Sequence, residues 1–128
     1  MVKVLKLLHS TILVKDLAKA VEFYEGLLEL EGDSSRPDLG YPGRWYNLGG
    51  QQIHLMELSD PEITNDIQML RPEHAGRDRH IAVEVDSVEI LAKLLEQADI
   101  KFTMSRSGRN ALFCRDPDGN GLEFVQSR

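Results

Sequence analysis

A repeat constrains this chain more than any other feature. His9 opens an alternating apolar segment, and His80 opens another 71 positions later. Each segment is followed by an acidic residue, Asp16 or Asp86, and then by apolar residues at helical spacing. His54 in QIHL and Glu123 in GLEF sit in later strand-like segments, 69 positions apart. Gly43-Arg44 and Gly108-Arg109 mark the segments before them. Like landmarks in like order predict two like structural units.

The elements of each unit follow from pattern. Leu5 to Val14 is apolar and rich in β formers, so it reads as a strand. Leu17, Ala20, Val21, Tyr24, Leu27 and Leu28 then recur on one helical face, behind Asp16 as a cap. A short strand ends at Gly32, and residues 33–43 read as a loop. Strands at about Arg44–Leu48 and Gln51–Leu58 flank Gly49-Gly50, a hairpin signal. Residues 59–78 are polar, carry Pro61 and Pro72, and read as a linker with room for one helical turn. The second unit repeats the order: a strand at Arg79–Val85, a helix at Val88–Ala98 and a strand at Lys101–Met104. Its last pair, Asn110–Cys114 and Gly121–Gln126, flanks the turn Asp116-Pro117-Asp118-Gly119. The expectation is a single α+β domain over 1–128, with module one at about 5–58 and module two at about 79–126. Two tandem βαβββ modules would form a curled eight-stranded mixed sheet with the helices on its outer face.

Strand parity places the chemistry. Side chains alternate faces with period two. Ile53 and Leu55 flank His54, and Leu122 and Phe124 flank Glu123. Ile81, Val83 and Val85 oppose His80, Ala82 and Glu84. The apolar faces need the two amphipathic helices as cover. His9, His54, His80 and Glu123 then share the uncovered face, and a curled sheet brings them into one cup. Clustered histidine and glutamate at matched points of a repeat predict a metal or catalytic site. Imidazole and carboxylate suit one divalent ion among Zn, Ni, Co, Mn and Fe(II).

Composition removes other classes. The formal charge is −6, with acidic and basic residues mixed along the chain, so no basic stripe offers itself to nucleic acid. No apolar run approaches the length of a membrane span. The first residues, MVKVLKLLHS, do not form a signal peptide. Cys114 is the single cysteine, expected as a small buried hydrophobe, and its isolation fits a cytoplasmic location. His74, in PEHAGR, lies outside the repeat and is expected to be solvated. Trp45 and Tyr46 are strand neighbours, so one of them can form an aromatic wall of the cup.

The segments LLHSTILVKDLAKAVEFYEGLLEL, QIHL, RHIAVEV and FCRDPDGNGLEFV resemble the vicinal oxygen chelate superfamily. That group includes glyoxalase I, methylmalonyl-CoA epimerase, fosfomycin-resistance enzymes, bleomycin-binding proteins and extradiol dioxygenases. The resemblance implies metal ligands at His9, His54, His80 and Glu123. Glyoxalase I has glutamate in the second place, where this chain has His54, which leaves isomerase chemistry open beside lyase chemistry. The expected function is a glyoxalase-like enzyme that chelates two adjacent oxygens of a small substrate and works through an enediolate-like intermediate. Glu123 would be the base, and Thr11, Trp45, Gln52 and Arg109 would contact substrate. The alternatives are an Fe(II) extradiol-type dioxygenase using His9, His80 and Glu123, and a protein that sequesters a small molecule such as an antibiotic. The resemblance also implies a homodimer, with each cup built within one chain or across two.

Overall fold

A computed structural model describes residues 1–58 and 71–128. Most of the expected linker, including Pro61, lies outside the described residues. The first module contains β1 (His9–Val14), α1 (Leu17–Val21, widening into a π-helical turn at Glu22–Leu27), β2 (Glu31–Gly32), β3 (Gly43–Leu48) and β4 (Gln51–Glu57). A 3-10 turn at Ala75–Arg77 leads into the second module. That module contains β5 (His80–Val85), α2 (Val88–Gln97), β6 (Phe102–Met104), β7 (Ala111–Arg115) and β8 (Gly121–Gln126). The fold is α+β with two tandem βαβββ modules. Among the described residues eight strands form two mixed sheets of four, ordered β1-β4-β3-β2 and β5-β8-β7-β6. No described helix is long and apolar enough to cross a membrane.

The first strand starts later than its composition suggests. Leu5 to Leu8 are exposed and outside the ladder, because the β4 partner begins with Gln52 opposite His9. The helix of module one begins where expected. Asp16 accepts from Lys19 N at 3.3 Å and caps it. Both helices are further held by the ends of their own sheets. Leu17 N donates to Glu57 Oε2 at 2.7 Å, and Val88 N donates to Gln126 Oε1 at 3.0 Å. Glu57 and Gln126 close the fourth strands of their modules, so the repeat extends to the helix caps. Glu29 and Asp99 then close the two helices with positive φ. Gly49 and Gly50 both adopt positive φ, as a two-residue hairpin turn requires.

Strand register corrects one detail of the repeat. Gly43 pairs with Met56, and Ala111 pairs with Val125. Gly43-Arg44 therefore corresponds to Ala111-Leu112, not to Gly108-Arg109. Gly108 has positive φ and belongs to the turn that Ser105 N closes on Ala111 O.

One core joins the modules. Ile12, Val14, Ile53 and Leu55 pack with Leu122 and Phe124 beneath the two helices. Tyr24 OH donates to Asp116 Oδ2 at 2.7 Å, tying the π turn of one module to the β7–β8 turn of the other. Burial, with Asp116 beside it, raises the Tyr24 pKa well above its ordinary value, so the bond persists across working pH. Asn120 Nδ2 donates to Leu13 O at 2.9 Å, a second bond across the seam. Cys114 is buried as expected, and burial pushes its thiol up to about 12.

Candidate functional site

The four candidate ligands fall into two pairs, one on each sheet. On the first, Thr11 lies opposite His54 across β1 and β4, and Trp45 lies opposite His54 across β3 and β4. The rings of His9 and His54 stack at 4.1 Å, and Trp45 stacks on His54 at 4.4 Å. Trp45 thus supplies the aromatic wall, while Tyr46 is fully buried on the core side. On the second sheet, Ala82 and Phe113 flank Glu123 in the same register. Phe113 occupies the place of Trp45, and its ring meets His80 edge-on at 5.2 Å.

The second pair has the geometry of a chelating half-site. His80 Nδ1 lies 2.9 Å from Asp78 O. A carbonyl can only accept, so Nδ1 donates to it, and the ring is held with Nε2 turned toward Glu123. Nε2 lies 3.3 Å from Glu123 Oε1. An orienting bond to the distal ring nitrogen is how ligand histidines are commonly held. Asp78 is itself anchored. Burial would raise its pKa, but hydrogen bonds from Arg115, Arg79 N and Arg71 hold it below the ordinary value. Gly121 stands opposite His80, and a Cβ there would sit 3.1 Å from His80 Cβ and 2.8 Å from Arg79 O. Arg109 Nη2 donates to Glu123 Oε2 at 2.7 Å. The carboxylate is buried, so this bond leaves Oε1 as the oxygen facing His80.

The first pair is held differently. Gln52 Nε2 donates to Asp33 Oδ2 at 2.7 Å and to Asn47 Oδ1 at 2.9 Å. Its Oε1 is therefore turned to His54 Nε2, 2.8 Å away, which donates to it. The His54 lone pair is then on Nδ1. Burial, followed by the nearby His9 and Arg36, lowers the His54 pKa and favours the neutral ring.

Within one chain the two pairs do not merge into a single cup. Among the described residues no three His, Cys, Asp or Glu side chains come close enough together to hold an ion. Thr11 and His80 do line a common cavity of about 280 Å³ between the edges of β1 and β5, with Ser10, Leu13 and Asn120. Of the expected substrate contacts, Thr11 faces this cavity and Trp45 covers His54. Gln52 and Arg109 are engaged by His54 and Glu123 respectively.

His74 is a correction. It is buried rather than solvated, because the turn at Ala75–Arg77 folds it against Phe113, with ring centroids 4.9 Å apart. Its Nδ1 is bonded to Thr103 Oγ1. Burial, together with the positive field of Arg106 and Arg77, lowers its pKa. Asp33 and Phe113 are site residues that the pattern did not single out. The register of β7 against β8 is the signal that would have found Phe113.

Comparison with known proteins agrees with this architecture. The family model described as Glyoxalase/Bleomycin resistance protein/Dioxygenase superfamily matches residues 6–124. The chain is 25% identical over 121 residues to Glyoxylase I 4 of Arabidopsis thaliana, covering 91% of this chain and 67% of that protein. It is 26% identical over 126 residues to the mitochondrial methylmalonyl-CoA epimerase of Bos taurus, covering 91% of this chain and 70% of that one. Among solved structures, the E126Q mutant of the fosfomycin resistance protein FosX from Listeria monocytogenes superposes with a TM-score of 0.73 at 19% identity. That match covers 98% of this chain and 95% of the other, which was complexed with Mn(II) and 1S,2S-dihydroxypropylphosphonic acid.

Proposed function

The chain belongs to the Glyoxalase/Bleomycin resistance protein/Dioxygenase superfamily, and on that premise we propose that it is a metal-dependent lyase or isomerase whose site is shared between two copies. His9 and His54 of one copy would meet His80 and Glu123 of the other around one divalent ion. The observation that carries this reading is the His80–Glu123 half-site. Its imidazole Nε2 and carboxylate oxygen lie 3.3 Å apart, and among the described residues no third ligand joins them. A homodimer supplies the missing pair at each of two sites.

The ion, when bound, supplies Lewis acidity to two adjacent oxygens of a small substrate. The protein does the rest. Asp78 O holds His80 in one tautomer, and Arg109 holds Glu123 Oε2. Glu123 Oε1, buried beside His80, is the oxygen left to accept a proton from the carbon next to the substrate oxygens. Thr11 offers a hydroxyl at the cavity between β1 and β5, and Trp45 gives the first half-site an apolar wall. The relatives named as a glyoxylase and an epimerase support this reaction class.

One observation favours a second reading. If His54 keeps its bond to Gln52, the remaining set is His9, His80 and Glu123. Two histidines and one carboxylate form the triad of Fe(II) oxygenases. Metal content of protein purified without added metal, followed by affinity for Mn(II), Zn(II) and Fe(II), separates the two. Tight binding of one Mn(II) or Zn(II) per chain, lost in both His54→Ala and His80→Ala, supports the four-ligand site. Selective Fe(II) binding that survives His54→Ala supports the triad. Absence of binding for every ion refutes both.

A further inference from the structure

The His54 ring is held on both of its faces. His9 on β1 stacks on it with 13° between the planes, and Trp45 on β3 stacks on it with 9°. β4 lies between β1 and β3, so the two partners cover opposite faces. Turning the ring over about its Cβ–Cγ bond would drive it edge-on into both. Nδ1 and Nε2 therefore keep their places. Gln52 shares the strand face of His54 and sets Oε1 2.8 Å from Nε2. The amide is oriented from its far side. Asp33 Oδ2 lies 2.7 Å from it, and a carboxylate can only accept, so the atom it meets is Gln52 Nε2. Asn47 Oδ1 accepts from the same nitrogen, opposite Gln52 on β3. Asp33 is itself fixed. Its N donates to Trp45 O at 2.7 Å, and its Oδ1 accepts from Ser35 N at 2.9 Å. Hydrogen bonds from Ser35 and Gln52 hold its carboxyl below the ordinary value, so it is ionised at neutral pH.

We propose that Asp33 is a positioning residue for the ion: acting through Gln52, it keeps the His54 proton on Nε2 and presents Nδ1 as the ligand atom. The inference rests on the four-ligand reading above. Nδ1 has no hydrogen-bond partner among the described residues, and it is not sealed in the interior. An ion on Nδ1 leaves the bond to Gln52 intact, so the two interactions support each other. The ion draws charge from the ring and makes Nε2–H a better donor. The anionic Asp33 polarises the Gln52 amide and makes Oε1 a better acceptor. A carboxylate or carbonyl on the distal N–H is the common support of a ligand histidine, and here the amide carries the carboxylate's influence one residue further. The two half-sites are thus held from opposite ring nitrogens, His80 through Nδ1 on Asp78 O and His54 through Nε2 on Gln52. Asp33, outside the strand ladder's side-chain alternation, supplies the charge on the His54 side.

Long-range nitrogen–proton correlation spectra of the metal-free full chain test this at about pH 8, where an unperturbed histidine is neutral. The His54 signals are assigned by their loss in His54→Gln. Wild type is expected to show the Nε2–H tautomer alone. Asp33→Asn, whose Oδ1 can still accept from Gln52, is expected to keep it. Gln52→Leu removes the acceptor, and Asp33→Lys draws Gln52 Oε1 away from His54. Both are expected to lose the single tautomer and to bind Zn(II) about 10–100-fold more weakly by calorimetry, with Asp33→Asn near wild type. An Nδ1–H tautomer in wild type would overturn the proposal and leave the shared site standing. Equal Zn(II) affinity in all four chains would do the same. Weaker binding in Asp33→Lys that tracks a lower urea midpoint, with the tautomer unchanged, would make Asp33 a structural residue and overturn its positioning role. The expected tautomer in a wild-type chain that binds no ion would overturn the metal site itself, and the role of Asp33 with it.

Discussion

Gly121 shows how tightly the candidate half-site is drawn at the scale of single residues. A methyl group there would lie 2.8 Å from Arg79 O, closer than real Cβ atoms come, and 3.1 Å from His80 Cβ, which would have to give way. Gly121→Ala should therefore displace His80 and weaken metal binding by about 10–100-fold, the usual penalty for disturbing a ligand's support. Titration calorimetry with Zn(II) or Mn(II) checks it, and unchanged affinity would mean that His80 is not a ligand. Glu123→Gln separates two roles of one carboxylate. The amide can still ligate weakly but cannot accept a proton, so turnover should vanish even in samples where metal is restored. Retained turnover would make Glu123 a ligand alone, and Glu84 the next residue to test. His80 and Glu123 were legible from strand parity, because alternation along a backbone needs no knowledge of rotamers. The bonds of Gln52 to His54 and of Arg109 to Glu123 were not. The first depends on side-chain torsions two residues apart on one strand face. The second depends on a turn whose shape Gly108 allows and pattern does not reveal.

Whole elements follow the sequence where local chemistry and burial agree. Ser87 caps α2 through Ile90 N at 3.1 Å, and Val88, Leu91 and Leu95 give it a buried face. The π turn at Glu22–Leu27 lies inside the stretch that helical spacing predicts as one helix, since spacing does not register a single added residue. That turn carries Tyr24 to Asp116. Tyr24→Phe removes the donor and leaves a buried carboxylate short of one bond, at an expected cost of about 1–3 kcal/mol. Urea unfolding measures it, and an unchanged midpoint would show that the two modules do not depend on this bond. The turn at Ala75–Arg77 misled in the opposite direction. A polar segment suggested solvent, yet Gly76 lets the His74 ring fold back, since any Cβ there would lie 2.7 Å from His74 Nε2. His74 and His54 both have folded-state pKa values below the ordinary 6.5. The unfolded chain then binds protons more readily than the folded one. Stability should be full above about pH 6.5 and fall as pH drops below it. His74→Gln should flatten part of that slope in urea midpoints measured across the window. An identical slope would mean that His74 ionises freely in the folded protein.

At the scale of the whole molecule, the repeat in sequence became a repeat in space. Equivalent residues occupy equivalent ladder positions: Thr11 and Ala82, Trp45 and Phe113, His54 and Glu123. The division of the strands into two sheets was not legible, because the edges of β1 and β5 carry no side-chain pattern that says whether they pair. For the same reason the sequence placed four ligands on one kind of face without saying which chain's modules would face each other. A shared site ties metal binding, dimerisation and stability together. Saturating metal should raise the thermal midpoint and favour the dimer, by about 2.7 kcal/mol at a hundredfold excess over Kd.

Mixed dimers give the most direct measurement of that claim. His9→Ala and Glu123→Ala are each expected to bind metal poorly, because in a homodimer of either variant both sites lack a ligand. Mixed, unfolded together and refolded, they form heterodimers in which one site carries both substitutions and the other carries none. The account predicts recovery of one tightly bound ion per heterodimer, read by elemental analysis after gel filtration. No recovery on mixing, with wild-type protein binding one ion per chain under the same conditions, would contradict it and place the whole site within a single chain.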